Sequence, residues 1–567
     1  MIETSVTAPN TPVYEDQKMP RGIWFIVSNE FAERFCFYGI NSILAVYFTQ
    51  HLHFTDARAT SWQSLFKSGA YFFPLLGAVV SDAFWGKFRT IMVFSIIYAL
   101  AVVGLAASGS HELALAASLF MIGLGTGGIK PCVATNLGDQ FTSRNQHLIE
   151  RAFSFFYLSI NIGSFFSIYL CPQLLDSPDW GPKWAFGLPA VLMATATVVF
   201  IAGKRNYVTV PPAGRAWLDE VTSPRTVKLV LNLLLIFFFV AIFWMLWDQS
   251  NGGTWTLQAQ SSLMDKHLLG TAEGALGSFS LGSWRVGELL TRAFTLKGAQ
   301  VQLVNGLFII LLAPFFSYVI YPLVGRFTAV TPLRKIGAGL FFSAGSFLVI
   351  AWVEGQLMAG HPVSAWWQIL AYGVLTCGEV LVSITALEFS YKQAPLTIKS
   401  FIMALFYLSI SVGNFGIAAV NNLMTKPLSA QAVQVGPETW VTLADASSLV
   451  PGQKVDVTGD TKVTWRTVSE TGEATQGPLN GTFLVAELDP AGSRVRLVDN
   501  LHRAPVVTEG TFDLTEGKVS TTWLVGPNYY LFFIGVMVVA GLIFVFVALA
   551  YKEQTHVRAE GGSPAGA

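Results

Sequence analysis

The chain has 567 residues, of which 52% are hydrophobic, 13% aromatic and only 12% charged, and its 35 basic side chains balance its 35 acidic ones. Apolar runs of about 20 residues recur along it, which argues against a soluble enzyme and describes an all-α polytopic membrane protein. A net charge of zero leaves no global field for nucleic acid or an acidic partner.

Residues 1–20 are polar and acidic, with no basic stretch ahead of a short apolar core, so a cytoplasmic tail rather than a cleavable signal is expected. Apolar runs predict twelve spans, near 22–50, 60–82, 89–108, 112–135, 149–170, 183–202, 226–252, 301–324, 335–354, 364–389, 399–424 and 528–551. They divide into a six-helix bundle (21–202), a cytoplasmic linker (203–225), five further spans (226–424) and a last span (527–551) with a tail (552–567), the site lying between two halves near mid-bilayer. Basic residues in short loops, among them Lys87, Arg89, Arg144, Arg151, Lys204, Arg205, Arg326, Arg334, Lys335, Lys392 and Lys399, fall on one side and place both termini in the cytoplasm. Lys266, Arg285, Arg292 and Lys297 break that pattern in a longer segment. Cys36, Cys132, Cys171 and Cys377 stand in or beside apolar runs and read as small core residues.

The first span contains Glu30-Phe31-Ala32-Glu33-Arg34. Glu30, Glu33 and Arg34 share one helix face at i, i+3 and i+4, and each charge at mid-bilayer costs about 2.5–3.5 kcal/mol. If Arg34 pairs with one carboxylate, the other is free to take a proton, the minimal equipment of a proton relay. Between spans two and three, Asp82-Ala83-Phe84-Trp85-Gly86-Lys87-Phe88-Arg89 resembles the signature loop of the major facilitator superfamily.

The fourth span holds Gly123, Gly125, Gly127 and Gly128, which permit close helix approach, then Lys130 and Pro131. Lys130 either snorkels or faces a protein interior. Asn161 and Asn305 stand in apolar surroundings; their amides suit either a peptide backbone or an inter-helix hydrogen bond. Asp248 and Glu379 are carboxylates at expensive depth and so candidate functional groups, while Glu388 lies nearer a helix end. Strict alternation within 434–524, as at Lys454-Val455-Asp456-Val457, predicts a small extracytoplasmic β-rich domain, a barrel or sandwich, occupying 425–526 between the last two spans. Amphipathic structure is expected on the same face from 262–298. Nothing resembling a phosphate loop, metal cluster or nucleophile elbow is seen, and no cofactor is implied.

Four motifs occur in order: residues 30–39; Gly125-Thr126-Gly127-Gly128-Ile129-Lys130-Pro131 with Asp139-Gln140-Phe141; residues 156–164; and Gly378-Glu379 with Leu387-Glu388-Phe389-Ser390-Tyr391 and Gln393-Ala394-Pro395. Together they resemble proton-dependent oligopeptide transporters, the peptide branch of the major facilitator superfamily. The resemblance covers the twelve spans but not 426–526. It implies a major facilitator fold in the bacterial inner membrane and a symporter drawing di- and tripeptides inward with protons across the lipid bilayer.

On that resemblance Glu30, Glu33, Arg34 and Lys130 couple protons, Lys130 meets the peptide carboxylate and Glu379 its amino group. Tyr38, Tyr71, Asn161 and Asn305 match peptide-contacting positions, Trp244 and Phe406 match side-chain pockets, and Asp248 matches an outer-gate acid. Asn41, also kept among substrate-contacting residues, stands where many members carry a second arginine, so Asp248 lacks its usual partner. Ser64 stands where animal members have a histidine. Lys67, about nine residues into its helix as Asn41 is from its own end, shares Asn41's depth and either replaces that arginine opposite Asp248 or snorkels into a wet cavity. Relatives carrying amino acids, nitrate or a drug, and a peptide-sensing receptor, are the alternative readings.

Overall fold

A computed structural model describes residues 18–141, 145, 148–271, 286–393, 399–459, 463–468, 474–490, 492–510, 512–513 and 516–551. The first half is built from α1 (Gly22–Gln50), α2 (Asp56–Val79), α3 (Lys87–Ala107), α4 (Glu112–Asp139), α5 (Ile149–Leu175) and α6 (Gly181–Ala202). A short α7 (Arg215–Val221) follows in the connection. The second half holds α8 (Pro224–Ser250), α9 (Thr254–Gln260), α10 (Val286–Ala293), α11 (Leu303–Phe315), α12 (Tyr321–Gly325), α13 (Pro332–Met358), α14 (Trp366–Glu379), α15 (Thr385–Gln393), α16 (Lys399–Leu423) and α17 (Pro527–Ala550). Among the described residues eleven helical stretches are long and apolar enough to cross a membrane. The 29-residue α1, which carries Glu30, Glu33 and Arg34, stands outside that count.

Local chemistry starts several helices. The Thr55, Ser223 and Thr331 hydroxyls accept from the main-chain N–H three residues on, and Pro224 and Pro332 open α8 and α13 where no N–H is needed. The glycines of α4 do what their density predicts: a Cβ on Gly127 would collide with the Phe73 Cβ, and one on Gly128 would enter the Phe94 ring, so α2 and α3 approach α4 through its missing side chains. Pro131 stays inside α4 rather than ending it.

Each half buries its own apolar core, one around Phe37, Phe48 and Tyr98, the other around Phe243, Trp255 and Phe347. The halves meet where α2 lies along α16: Ser68 faces Ser411 at 3.0 Å, Asn421 donates to Thr60 at 2.9 Å, and the Tyr71 and Tyr407 rings stand 6.0 Å apart. At the other end the connection folds back on the loop of Asp82: Ala213 N–H donates to the Asp82 carbonyl, and Lys87 pairs with Asp139 at 2.5 Å.

β1 (Met264–Asp265) and β2 (Val363–Ser364) form a small parallel pair. Among the described residues ten strands lie between α16 and α17: β3 (Thr425–Leu428), β4 (Ala430–Gln434), β5 (Thr439–Leu443), β6 (Lys454–Thr458), β7 (Thr464–Val468), β8 (Ala474–Pro478), β9 (Gly481–Leu488), β10 (Arg494–Asp499), β11 (Val507–Glu509) and β12 (Lys518–Thr522). They pair antiparallel in two sheets, ordered β3-β12-β6-β9-β10-β5-β4 and β11-β7-β8, over one core containing Val455, Val457, Trp465 and Phe483. The alternation from 434 onward misses β3 and β4, whose side chains are largely exposed or half-exposed and so carry little apolar signal. Thr425 pairs with Thr522, so the chain leaves α16 and returns to α17 along one two-stranded stalk.

Of the segment 262–298, residues 272–285, including Arg285, lie outside the described residues, as do Arg144, Ala394 and Pro395. The rest adds the eight-residue α10 with Thr291 buried and Arg292 exposed.

Candidate functional site

The charge cluster of α1 is buried among apolar neighbours. Glu33 is wholly inaccessible, and Glu30 and Arg34 are nearly so. The sequence leads one to expect a carboxylate left free. Instead Arg34 engages both, through Nε to Glu30 Oε1 at 3.0 Å and through Nη2 to Glu33 Oε2. The forked guanidinium can do this because Glu30 and Glu33 flank it on one helix face. The other Glu33 oxygen accepts from the Thr126 hydroxyl of α4.

Lys130, also on α4, makes no hydrogen bond to any described residue. Its ammonium instead lies 4.1 Å from the Phe37 ring centroid and 3.8 Å from that of Tyr71, an aromatic cradle that stabilises a cation without using its N–H donors. Lys130 is thus a positive group with three unused donors beside the α1 cluster.

Across the interface, Glu379 ends α14 where the backbone widens into a π-helical turn, Val380–Ile384. Its Oε2 accepts from Trp247 Nε1 and from Asn305 Nδ2, both at 2.8 Å, and Asn305 also donates to Thr376. Tyr38, Asn161, Trp247, Asn305 and Glu379 line one cavity of about 320 Å³ between α5 and α11. Asn161 donates to the Tyr157 carbonyl of its own helix. Trp244 packs its ring 5.2 Å from Trp247 and 6.3 Å from Phe406, so the three rings form one aromatic cluster, of which Trp247 lines the cavity.

A second knot closes the bundle toward the β domain. Lys67 is 1% exposed and does not snorkel; its Nζ donates to Asp248 Oδ1 at 3.0 Å, to the Asp248 carbonyl at 2.8 Å and to the Asn251 carbonyl at 3.0 Å. All three ammonium protons are used. Asp248 Oδ2 accepts from Asn414 Nδ2 at 2.6 Å. Asn41 belongs to this knot and not to the cavity: it donates to the Asn251 carbonyl at 3.0 Å, and its own carbonyl accepts from Gln63 at the same distance. An amide is short, so from that depth it reaches the tight turn at Gly252, where φ is +79° and a Cβ would strike the Asn41 carbonyl. The knot therefore joins α1, α2, α8 and α16.

Sequence reasoning gave no role to Thr126, Gln63, Asn414, Trp247 or the Asn251 carbonyl. Asn414 carried the same signal as Asn161 and Asn305, an amide in an apolar run. The Asn251 carbonyl carried none, because every residue has one.

The sequence profile of the POT family (PTR2) matches residues 88–223 and 284–441, a little over half of the chain. This chain belongs to the POT family. POT-family membership and many apolar helices make it an integral membrane protein. It is 35% identical to solute carrier family 15 member 2 of Danio rerio over 61% of this chain and 51% of that one. It is 34% identical to peptide transporter family 1 of Drosophila melanogaster over 60% and 48% respectively. It thus spans about half the length of these curated relatives. Among solved structures, that of the POT family transporter PepTSo matches with a TM-score of 0.61 and 32% identity, over 71% of this chain and 90% of that one. In this POT-family chain the β domain sits between α16 and α17, and the family profile ends within it, at residue 441.

Proposed function

We propose that this chain is a proton-coupled symporter that imports di- and tripeptides by alternating access, and is not an enzyme. The observation that carries the reading is Lys130: a buried cation with three unused donors, held by two aromatic rings, beside a carboxylate–guanidinium cluster. A peptide carboxylate satisfies those donors, and Glu379 on the other half receives the peptide ammonium. A short dipole is then bound by its ends whatever its side chains, while Tyr38, Asn161 and Asn305 meet its main chain and the aromatic cluster of Trp244, Trp247 and Phe406 takes side chains.

In this reading Arg34 shared between Glu30 and Glu33 is the coupling element. A proton on Glu33 releases half of the guanidinium, and the freed positive potential beside Lys130 strengthens its hold on a carboxylate. Proton and peptide then favour the same state. Lys67 and Asp248 form the outer gate, the lysine of α2 standing in for the arginine that Asn41 replaces.

Counting α1 gives twelve spans in two six-helix bundles, with both termini cytoplasmic in a bacterial inner membrane and the β domain outside. Competition for labelled dialanine uptake by trialanine, alanine and nitrate tests the substrate class. Trialanine is expected to compete, and alanine and nitrate are not; competition by nitrate alone would overturn the reading.

A further inference from the structure

The outer end of α2 is held by the β domain. Asp56, the first residue of α2, takes hydrogen bonds from two domain side chains, Lys454 Nζ at 2.7 Å and Asn500 Nδ2 at 3.4 Å, both to its Oδ2. Its main-chain N–H donates to Thr482 Oγ1 at 2.8 Å, and that hydroxyl donates in turn to Asp456 Oδ1 at 2.5 Å. Three residues earlier, in the turn before the helix, the His53 ring meets Trp465 edge-on at 6.3 Å. Residues from four strands or their ends thus converge on the start of α2 and the turn before it.

That helix is the one that carries the gate. Gln63, Lys67, Ser68 and Tyr71 all lie on α2 and all face the opposing half. The domain itself belongs to the other half. Its stalk continues α16 and α17, Arg503 donates to the Leu357 carbonyl at the end of α13, and Ser262 N–H donates to the Leu501 carbonyl. Any motion that separates α2 from α16 at this end must therefore break the bonds at Asp56 or tear the domain from its own stalk, and the side-chain bonds are the weaker link.

We propose that the β domain is a latch on the outer gate: it clasps Asp56 while the outer face is closed and releases it when α2 moves away from α16. This rests on the alternating-access reading, and it gives the domain a function in setting how much of the protein faces outward. The latch adds to the Lys67–Asp248 bond without touching the cavity.

Spin labels at Asp179→Cys and Ala359→Cys, exposed positions on the two halves at the latched end, read the opening directly by pulsed electron resonance and need no substrate. Native Cys377 is replaced by Ser, the other cysteines being buried. In the Lys454→Met/Thr482→Val variant the ratio of long to short distances should rise about tenfold, what the loss of two net hydrogen bonds is worth. An unchanged distribution in a folded variant overturns the latch. A second variant guards against misfolding: Asp56→Cys/Thr482→Cys, without spin labels, places two thiols where a hydrogen bond now joins the residues. Oxidised in proteoliposomes, with the cross-link confirmed by mass spectrometry, it should lose at least about nine-tenths of its peptide uptake and regain it on reduction. Equal uptake by the cross-linked and reduced forms overturns the latch. Absence of uptake in the parent chain refutes the transport reading instead, and the distance measurement then decides the latch alone.

Discussion

Lys67 of α2 and Asp248 of α8 meet across the two halves of the bundle with Nζ 3.0 Å from Oδ1, both side chains almost wholly excluded from solvent. Removing one member strands the other as a buried charge, a loss of about 3–5 kcal/mol, whereas removing both leaves neither unpaired. Lys67→Ala and Asp248→Asn should therefore each impair uptake strongly, and the double variant should be impaired less than the product of the two. Uptake rates of all three check this, and a coupling of at least about 1 kcal/mol is expected where independent sites would add within about 0.5 kcal/mol.

Arg34 bridges Glu30 and Glu33, and Thr126 supports the second. Glu33→Gln keeps the shape and removes the carboxylate charge. Exchange of labelled for unlabelled dialanine should persist in this variant while gradient-driven accumulation is lost. Retained accumulation would remove Glu33 from the coupling role.

Glu379 is the candidate acceptor for a peptide ammonium. Glu379→Gln should weaken competition by dialanine about 10- to 100-fold, the range of a charged hydrogen bond, and leave an N-acetylated dipeptide unaffected. Competition curves for both ligands against one labelled peptide make the comparison.

In the β domain, burial pushes the Asp456 carboxyl up to about 7; the Thr482 hydroxyl and Lys454 pull it down and Asp56 pushes it further up. A carboxyl whose acidity is weakened by folding favours the folded domain while protonated. Its contribution is complete below about pH 4, is lost as pH rises from about 4 to about 7, and does not change above that. The thermal midpoint of the domain should fall across that window, and Asp456→Asn should flatten the slope. A midpoint that rises from pH 4 to 7 equally in both proteins would contradict the assignment.

The helices and the charged residues were legible because a membrane makes both conspicuous: long apolar runs mark the rods, and Glu30, Lys67, Asp248 and Glu379 stand out as costs. The depth shared by Asn41 and Lys67 pointed to one layer, and the structure does bring both to the Asn251 turn. Which atoms meet there was not legible. The common acceptor is a main-chain carbonyl, and the use of both Glu30 and Glu33 by one guanidinium depends on a rotamer. β3 and β4 were missed for the opposite reason, since exposed strands leave no alternation to read. The latch at Asp56 joins residues about 400 positions apart, a pairing that no local pattern encodes.

Uptake of labelled dialanine into proteoliposomes under an imposed inward proton gradient, with and without a protonophore, tests the central claim most directly. Accumulation above the external concentration that collapses when the gradient is dissipated is the expected result. Equilibration to the external concentration and no further, with or without the gradient, would contradict proton-coupled symport.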